Sequence, residues 1–341
     1  MSANRTSAVR EPVFPKVELH LHLDCSLSFA AVAQLDPSVS FEEYQSEFIA
    51  PRRCTSLADF LTRAPRGFQL MQDEAALTLV VEDLFDQLTA DGVIYAEIRF
   101  APLLHLERGL TPVQVVAAVD RATGNAIRSS GIDARLILCT LRHFDREQGL
   151  LTAGLVEQFR GTRVAALDIA GDEAGDPIDA HIPAFRYAID HGLHRTAHAG
   201  EARGADSVWE TLREFQPSRI GHGVRSIEDP ALVAHLIRER IHLEVCPSSN
   251  LQTGISREFA EHAVNDLYRA GVPLSISTDT RTITNITLTK EYRNLEEHFG
   301  WTPADLLACN LAAVEAAFVD ESTKSGLRER LLRPPRQQCV E

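Results

Sequence analysis

The sequence predicts an α/β protein built as a (β/α)8 barrel. Three observations carry that expectation: eight short apolar runs of β-forming residues, longer helical patterns between them, and His, Asp and Glu side chains gathered at the ends of several runs. The runs are 17–22 (VELHLH), 94–100 (IYAEIRF), 134–140 (ARLILCT), 164–170 (VAALDIA), 193–198 (LHRTAH), 219–222 (RIGH), 241–246 (IHLEVC) and 272–278 (VPLSIST). Strands that alternate with helices make a parallel sheet. Periodicity alone does not distinguish a closed barrel from an open one.

The intervening segments justify the helices in turn. In 74–90, Leu77, Val80, Val81, Leu84 and Leu88 recur at helical spacing, and Gly92 follows where the helix should stop. At 111–114, TPVQ offers an N-cap Thr, a Pro at the first helical position and a capping-box Gln. Segments 147–160, 178–190, 205–215, 229–239, 257–269 and 303–318 read as further helices. The whole chain, 1–341, reads as one barrel domain with C-terminal helices at about 303–333. An insertion of about 24–73 separates the first strand from its helix, and connections that long are generally functional. Inside it, 56–61 (SLADFL) reads as a short apolar helix, either a lid over the barrel mouth or a packing element.

Composition limits the function classes. Apolar residues make up 44% and charged residues 24%, enough for a large core. The net charge of −14 argues against non-specific nucleic-acid binding, which needs a basic surface. No apolar run approaches the roughly 18 residues of a membrane span, and the N-terminal MSANRTSAVREP has no hydrophobic signal-peptide centre. Six scattered cysteines (Cys25, Cys54, Cys139, Cys246, Cys309, Cys339) form no C-x-x-C pair and read as reduced thiols. A cytoplasmic protein is the expectation, with no nucleic-acid or membrane partner and no reading of oligomeric state.

The C-terminal ends of barrel strands are where catalytic groups collect. His20 and His22 close the first run, and alternate strand residues share a face, so both imidazoles point the same way. A lone H-x-H is weak evidence of a metal. Here the fifth run ends in HAGE (His198, Glu201), the sixth in GHG (His222) and the eighth in STD (Asp279). Three neutral imidazoles and a carboxylate with a position left for water are the pattern of a catalytic zinc site. No Lys ends the fourth run (LDIAGDE), so the bridging carbamylated lysine of two-metal barrels is absent and one metal ion is expected. Cys246 has no partner thiol and reads as a buried residue.

The motifs PKVELHLHLD, LDIAGDE, HAGE, RIGHGV, EVCPSSN and STDT, in that order and spacing, resemble the adenosine deaminase family from about residue 15 to about 320. SLADFL resembles the family's lid helix. The resemblance implies one Zn2+ per chain held by His20, His22, His198 and Asp279. It implies a small-molecule purine nucleoside as substrate, adenosine or 2′-deoxyadenosine, hydrolysed to inosine or 2′-deoxyinosine and ammonia. Glu201 would protonate ring N1, which requires a neutral carboxyl, and burial would raise its pKa to allow that. His222 would orient and support the attacking hydroxide, and Asp279 would also accept a proton from the water. The Gly171 backbone would face purine N3, Asp24 a ribose hydroxyl, and Leu57, Phe60 and Leu61 would cover the nucleoside.

Two positions depart from the family pattern. Cys25 stands where Gly is common, and either strains the backbone or narrows the pocket. Thr280 stands where many members carry a second Asp that bonds purine N7. Sister reactions on adenine, 6-aminodeoxyfutalosine or an N6-substituted adenine nucleotide therefore stay open. An inactive purine-binding barrel is the alternative of another class, though every site residue it would have lost is present.

Overall fold

The computed structural model describes residues 14–333, so Cys339 and the N-terminal MSANRTSAVREP lie outside the described residues. Eight strands run parallel in sequence order: β1 (Lys16–His22), β2 (Val93–Phe100), β3 (Asp133–Leu141), β4 (Val164–Ala170), β5 (His194–Ala199), β6 (Arg219–His222), β7 (His242–Val245) and β8 (Leu274–Ile276). Each pairs with the next from β1 to β8. The seam between β8 and β1 is narrow. It consists of the Leu21–Asp279 bridge, with the His22 amide donating to the Asp279 carbonyl at 2.8 Å and the Asp279 amide to the His20 carbonyl at 3.0 Å. A (β/α)8 barrel results, as the alternation predicts.

Local signals set the helix ends. Helix Glu74–Ala90 starts on Asp73, whose side chain accepts from the Ala76 amide, and Gly92 follows it at φ 73°. Helix Pro112–Ser130 carries the complete Thr111/Gln114 capping box. Helices Arg146–Gln158, Ala205–Phe215, Pro230–Glu239 and Pro303–Ala316 fall where the periodicity places them.

Other segments differ from expectation. The segment 178–190 becomes a 3-10 turn, Asp179–His181, and then helix Ile182–Asp190. The segment 257–269 breaks into a 3-10 turn, Phe259–Glu261, and helix Val264–Ala270; between them the His262 ring accepts the Val264 amide. Helix Leu288–Phe299 has no counterpart in the sequence reading. Its apolar stripe is thin (Leu288, Tyr292, Leu295) and the rest of its surface is largely polar. The long insertion holds four short helices rather than one: Phe29–Leu35, Phe41–Glu47, Leu57–Leu61 and Ala64–Phe68. Helices of five to seven residues are too short to show a period, but Ser28, Ser40 and Ser56 cap three of them. The insertion is tied to the barrel mouth by the Ala50 amide to the Ile283 carbonyl and the Cys54 amide to the Gln252 carbonyl, both at 2.8 Å.

Apolar residues of the strands pack against the surrounding helices. Charged residues alternate with them and are fully buried: Glu18, Glu97, Arg99, Asp168, Arg219 and Glu244 are each 0% exposed. Buried charge is tolerable only when paired and hydrogen-bonded. Arg219 shows how this is met at the N-terminal end of the barrel. Its Nη2 lies 2.5 Å from Glu97 and its Nε 2.7 Å from Glu244, and Nη1 donates to the Ala316 carbonyl at 3.0 Å. Its guanidinium also sits 3.8 Å from the Phe318 ring centroid, and the Phe318 amide donates to Glu97 at 2.6 Å. The segment after helix Pro303–Ala316 thus plugs that end of the barrel by pairing with charges inside it.

Replacing one partner of such a cluster leaves a buried charge uncompensated. Arg219→Met should therefore destabilise the protein by about 3–5 kcal/mol, read as a lower urea midpoint with an unchanged slope. A loss under about 1 kcal/mol would mean that the cluster is not holding the plug.

Candidate active site

The candidate site lies at the C-terminal mouth of the barrel. His20 and His22 are two apart on β1, so their rings share the inward face. His198 comes from β5, His222 from the end of β6, and Asp279 follows β8. Close approach of these rings depends on Gly221: a Cβ there would lie 2.9 Å from His20 Cε1 and 3.3 Å from the His198 ring.

The backbone at two of these residues is in the left-handed region, at φ 61° for His222 and 65° for Asp279. Non-glycine residues enter it at a cost and do so mostly at functional positions. The Thr280 amide donates to the Thr278 carbonyl at 2.8 Å, closing a tight three-residue turn that has Asp279 at its centre.

Donor atoms converge. His22 Nε2 lies 3.2 Å from His198 Nε2, and Asp279 Oδ1 lies 3.4 Å from His20 Nε2 and 3.5 Å from His22 Nε2. His20, His198, His222 and Asp279 can each turn one ligand atom to within 4.8 Å of the other three. So five groups of metal-ligand type meet at one point, and proximity brings His222 as close as His22.

Carboxylates behind the rings set their orientation. His20 Nδ1 is 2.9 Å from Glu244, and His198 Nδ1 is 3.2 Å from Asp168. Each carboxylate takes the proton-bearing nitrogen and leaves Nε2 with a lone pair aimed inward, the arrangement that supports metal-ligating histidines. His20 Nε2 is buried and has no hydrogen-bond partner. Burial holds the pKa values of His198 and His22 below the usual histidine range, so both rings are neutral. Ser249 Oγ donates to Asp279 Oδ2 at 2.6 Å, which leaves Oδ1 facing the imidazoles. Against burial and nearby Arg99, hydrogen bonds to Asp279 and Glu244 raise the pKa of His20, so a metal there would displace its Nε2 proton. With that proton gone, three ring nitrogens and one carboxylate oxygen are a donor set that fits zinc.

Glu201 stands beside this group with Oε2 3.6 Å from His222 Nε2. Burial, then the charges of Asp279 and Glu173, push its pKa well above the ordinary glutamate value, which favours the protonated acid. The turn that carries it is fixed by Glu173, whose carboxylate accepts the amides of Gly200 at 2.7 Å and of Glu201 and Arg203 at 2.9 Å, and the Ser207 hydroxyl at 2.6 Å.

A cavity of about 490 Å³ opens above these groups. It is lined by His22, His198, Glu201, His222 and Asp279, and also by Asp24, Gly171, Thr280, Leu57, Phe60 and Leu61. The structure thus brings together every residue singled out in the sequence, with His20 buried behind the lining. Asp24 is buried, accepts the Ala101 amide at 3.1 Å, and has its pKa pushed up to about 6 by burial. Gly171 sits at φ 106°, open only to glycine, and a Cβ there would come 3.3 Å from the Arg142 amide. Cys25 has no positive φ and lines the cavity, so of its two readings the structure supports the narrowed pocket. Thr280 Oγ1 bonds Thr284 Oγ1 at 2.9 Å. Cys246 is fully buried.

The sequence reading missed the supporting residues Glu244, Asp168, Glu173, Ser249 and Asn250. Glu244 and Asp168 announce themselves as lone charges within apolar strands, and Glu173 closes the quoted LDIAGDE motif.

Comparison with known proteins agrees with this geometry. The sequence profile described as adenosine deaminase matches residues 15–334. The adenosine deaminase of Lacticaseibacillus paracasei is 34% identical over 93% of this chain and 95% of its own. Among solved structures, the adenine deaminase of Arthrobacter aurescens superposes with a TM-score of 0.86 at 24% identity, covering 93% of this chain and 98% of that one. The N6-mAMP deaminase of Arabidopsis gives a TM-score of 0.82 at 25% identity, covering 94% and 98%. Matched along nearly its whole length, the chain belongs to the adenosine deaminase family and is a purine-deaminating hydrolase.

Proposed function

We propose that the protein hydrolyses the 6-amino group of adenosine and 2′-deoxyadenosine, with one zinc ion per chain. The observation that carries this reading is the cavity of about 490 Å³ whose floor holds the imidazole–carboxylate cluster beside Glu201, whose burial favours the protonated acid. Its volume suits a whole nucleoside. Among the described residues that line it there is no Lys or Arg, while Asp172 and Asp176 are present. A nucleotide phosphate would meet those carboxylates, with His143 and Thr62 in place of the Arg or Lys that phosphate recognition favours.

His20, His22, His198 and Asp279 would hold the zinc, through three Nε2 atoms and Oδ1. When bound, zinc lowers the pKa of water from about 15.7 towards 7 and so supplies the nucleophile at neutral pH. Asp279 would accept a proton from the attacking water. His222 presents Nε2 to the attacking oxygen and steadies it as charge develops. Attack at C6 pushes electrons onto N1, and Glu201, entering the cycle neutral, gives N1 its proton. Asp279 would then return its proton to the amino group, the C6–N bond breaks to release ammonia, and the C6 hydroxyl proton passes to Glu201 as C6=O forms. The Gly171 backbone faces purine N3, and the Thr280 hydroxyl faces N7 in place of a second carboxyl. Asp24 takes a ribose hydroxyl. Leu57, Phe60 and Leu61 cover the base as a lid and exclude water.

A second reading, another 6-aminopurine, follows from the adenine and N6-mAMP deaminases that share this fold. A panel of adenosine, 2′-deoxyadenosine, adenine and AMP, followed by absorbance and ammonia release, separates the two. We expect both nucleosides to have the highest kcat/KM, and AMP and adenine each to fall by about 10²-fold or more, since lost buried polar contacts carry that scale of discrimination. Preference for adenine or AMP overturns the substrate and leaves the deamination class.

Metal analysis should find one zinc per chain, and His20→Ala should lose metal and activity together. Two ions, or full activity without metal, would refute the single-zinc reading. Glu201→Gln should retain zinc and bind a purine inhibitor, yet lose turnover by roughly 10²-fold or more. A normal rate in that variant would place the N1 proton donor elsewhere.

A further inference from the structure

Behind His222 lies a chain of hydrogen bonds that plays no part in the roles described so far. Its first link is a main-chain amide. The Val264 N–H, at the start of helix Val264–Ala270, points to His262 Nδ1 at 3.1 Å. An amide only donates, so Nδ1 of His262 must accept, and the single ring proton must sit on Nε2. A charged His262 would set two N–H groups against each other; burial also lowers its pKa to about 4.

The second link follows. His262 Nε2 lies 3.2 Å from Asn250 Oδ1, which accepts its proton. That fixes the orientation of the Asn250 amide, because the flipped side chain would place its NH2 against the ring N–H. Asn250 Nδ2 therefore faces His222 Nδ1, at 3.0 Å, and donates to it. His222 Nδ1 is an acceptor, so its one proton lies on Nε2. Asn250 is 0% exposed and His262 3%, so no bulk water competes for these bonds.

We propose that Asn250 and His262 are positioning residues that hold His222 in the tautomer protonated on Nε2. In that tautomer His222 is a hydrogen-bond donor into the cavity and cannot serve as a metal ligand. The relay thus breaks the tie left by proximity. His20 and His198 donate from Nδ1 to Glu244 and Asp168, which leaves Nε2 bare for a metal. His222 receives at Nδ1 and is the opposite tautomer. Carboxylates behind two rings and an amide behind the third sort these three similar imidazoles into ligands and donor. What the donor acts on rests on the deaminase reading; the tautomer does not.

The test uses the zinc-loaded enzyme with histidine labelled by nitrogen-15. Long-range proton–nitrogen correlations distinguish protonated from bare ring nitrogens, and His222→Gln identifies the His222 signals. We expect a protonated Nε2 and a bare Nδ1 in the wild type; the reverse pattern, or two protonated nitrogens, overturns the proposal. His222→Gln should keep its full zinc content, and loss of zinc would make His222 a ligand and overturn it as well. In Asn250→Asp the carboxylate can only accept, so the His222 proton should move to Nδ1. The kcat should then fall by roughly 10²-fold or more, with KM within about 3-fold, the scale of losing a pre-aimed donor or enforcing the wrong tautomer. His262→Leu should also lower kcat, and His262→Gln, whose amide can donate to Asn250, should recover most of the loss together with the Nε2–H signature. An unchanged tautomer or an unchanged kcat in Asn250→Asp overturns the relay. Should no 6-aminopurine be a substrate, the correlation spectra and zinc contents still decide the tautomer.

Discussion

The site depends on one buried cation. Arg99 of β2 is 0% exposed and reaches two carboxylates on opposite sides of the barrel, with Nη1 2.8 Å from Asp168 and Nη2 2.6 Å from Glu244. Those same carboxylates take the Nδ1 protons of His198 and His20. Against the cost of burial, Arg99 and Arg219 hold Glu244, and His198 and Arg99 hold Asp168, well below the usual carboxylate range. Were either carboxylate neutral, it could donate to the imidazole instead of accepting, and the ring would lose its enforced tautomer. The ion chain therefore fixes His20 and His198, which would otherwise be free to turn. Barrel interiors are usually filled with branched apolar side chains. Here the filling is charge, and the charge determines which nitrogen of His20 and of His198 faces the cavity.

That arrangement explains what could and could not be read from sequence. The strands were legible because their outward faces are apolar and their lengths match a barrel. The cluster was legible because His20, His22, His198, His222 and Asp279 fall at strand ends, the point where a parallel barrel gathers functional groups. Asp168 and Glu244 were passed over because a single charge inside an apolar run looks like a defect in the period. The period was the clue: Glu18, His20 and His22, or Glu97 and Arg99, are spaced by two and so share the inward face. The relay through Asn250 and His262 was beyond sequence reading. It joins residues twelve apart across two elements, and its direction is set by a main-chain amide that no residue type encodes. The short helices of the insertion escaped because five to seven residues carry no measurable period.

Strain is concentrated where chemistry is expected. His222 and Asp279 are both in the left-handed region, and Gly171, Gly200 and Gly223 sit there beside them. Each such non-glycine residue costs on the order of 1–3 kcal/mol, so the surroundings must over-determine it. They do. Asp279 is pinned by main-chain bonds to His20 and His22 and by Ser249 at its carboxylate. His222 is followed by Gly223, whose amide donates to the Ala199 carbonyl at 3.0 Å. The glycines of HAGE and RIGHGV are needed for space as well as conformation. A Cβ at Gly200 would meet Val208 at 2.5 Å, and one at Gly223 would meet Leu243 at 2.6 Å. These close contacts let the turns after β5 and β6 approach each other and bring Glu201 beside His222.

The insertion also helps to close the ring. Strand pairing between β8 and β1 ends at one bridge, so the seam would be weak if strands alone held it. The loops beyond complete it. Ser26 Oγ donates to the His22 carbonyl at 2.6 Å and accepts the Arg281 amide at 3.2 Å. The Thr282 amide donates to the Cys25 carbonyl at 3.1 Å, and Thr282 Oγ1 to the Leu27 carbonyl at 2.6 Å. Below them Arg281 pairs with Glu18 at 2.7 Å and Asp91 at 2.9 Å, tying β1 to the turn before β2. The first residues of the insertion are thus an extension of the barrel wall. Because the stitching runs from His22 to Arg281 across Asp279, the geometry of the first and last groups of the cluster is set by loop contacts. The identity of Ser26 and Thr282 bears on the site although neither side chain reaches the cavity lining.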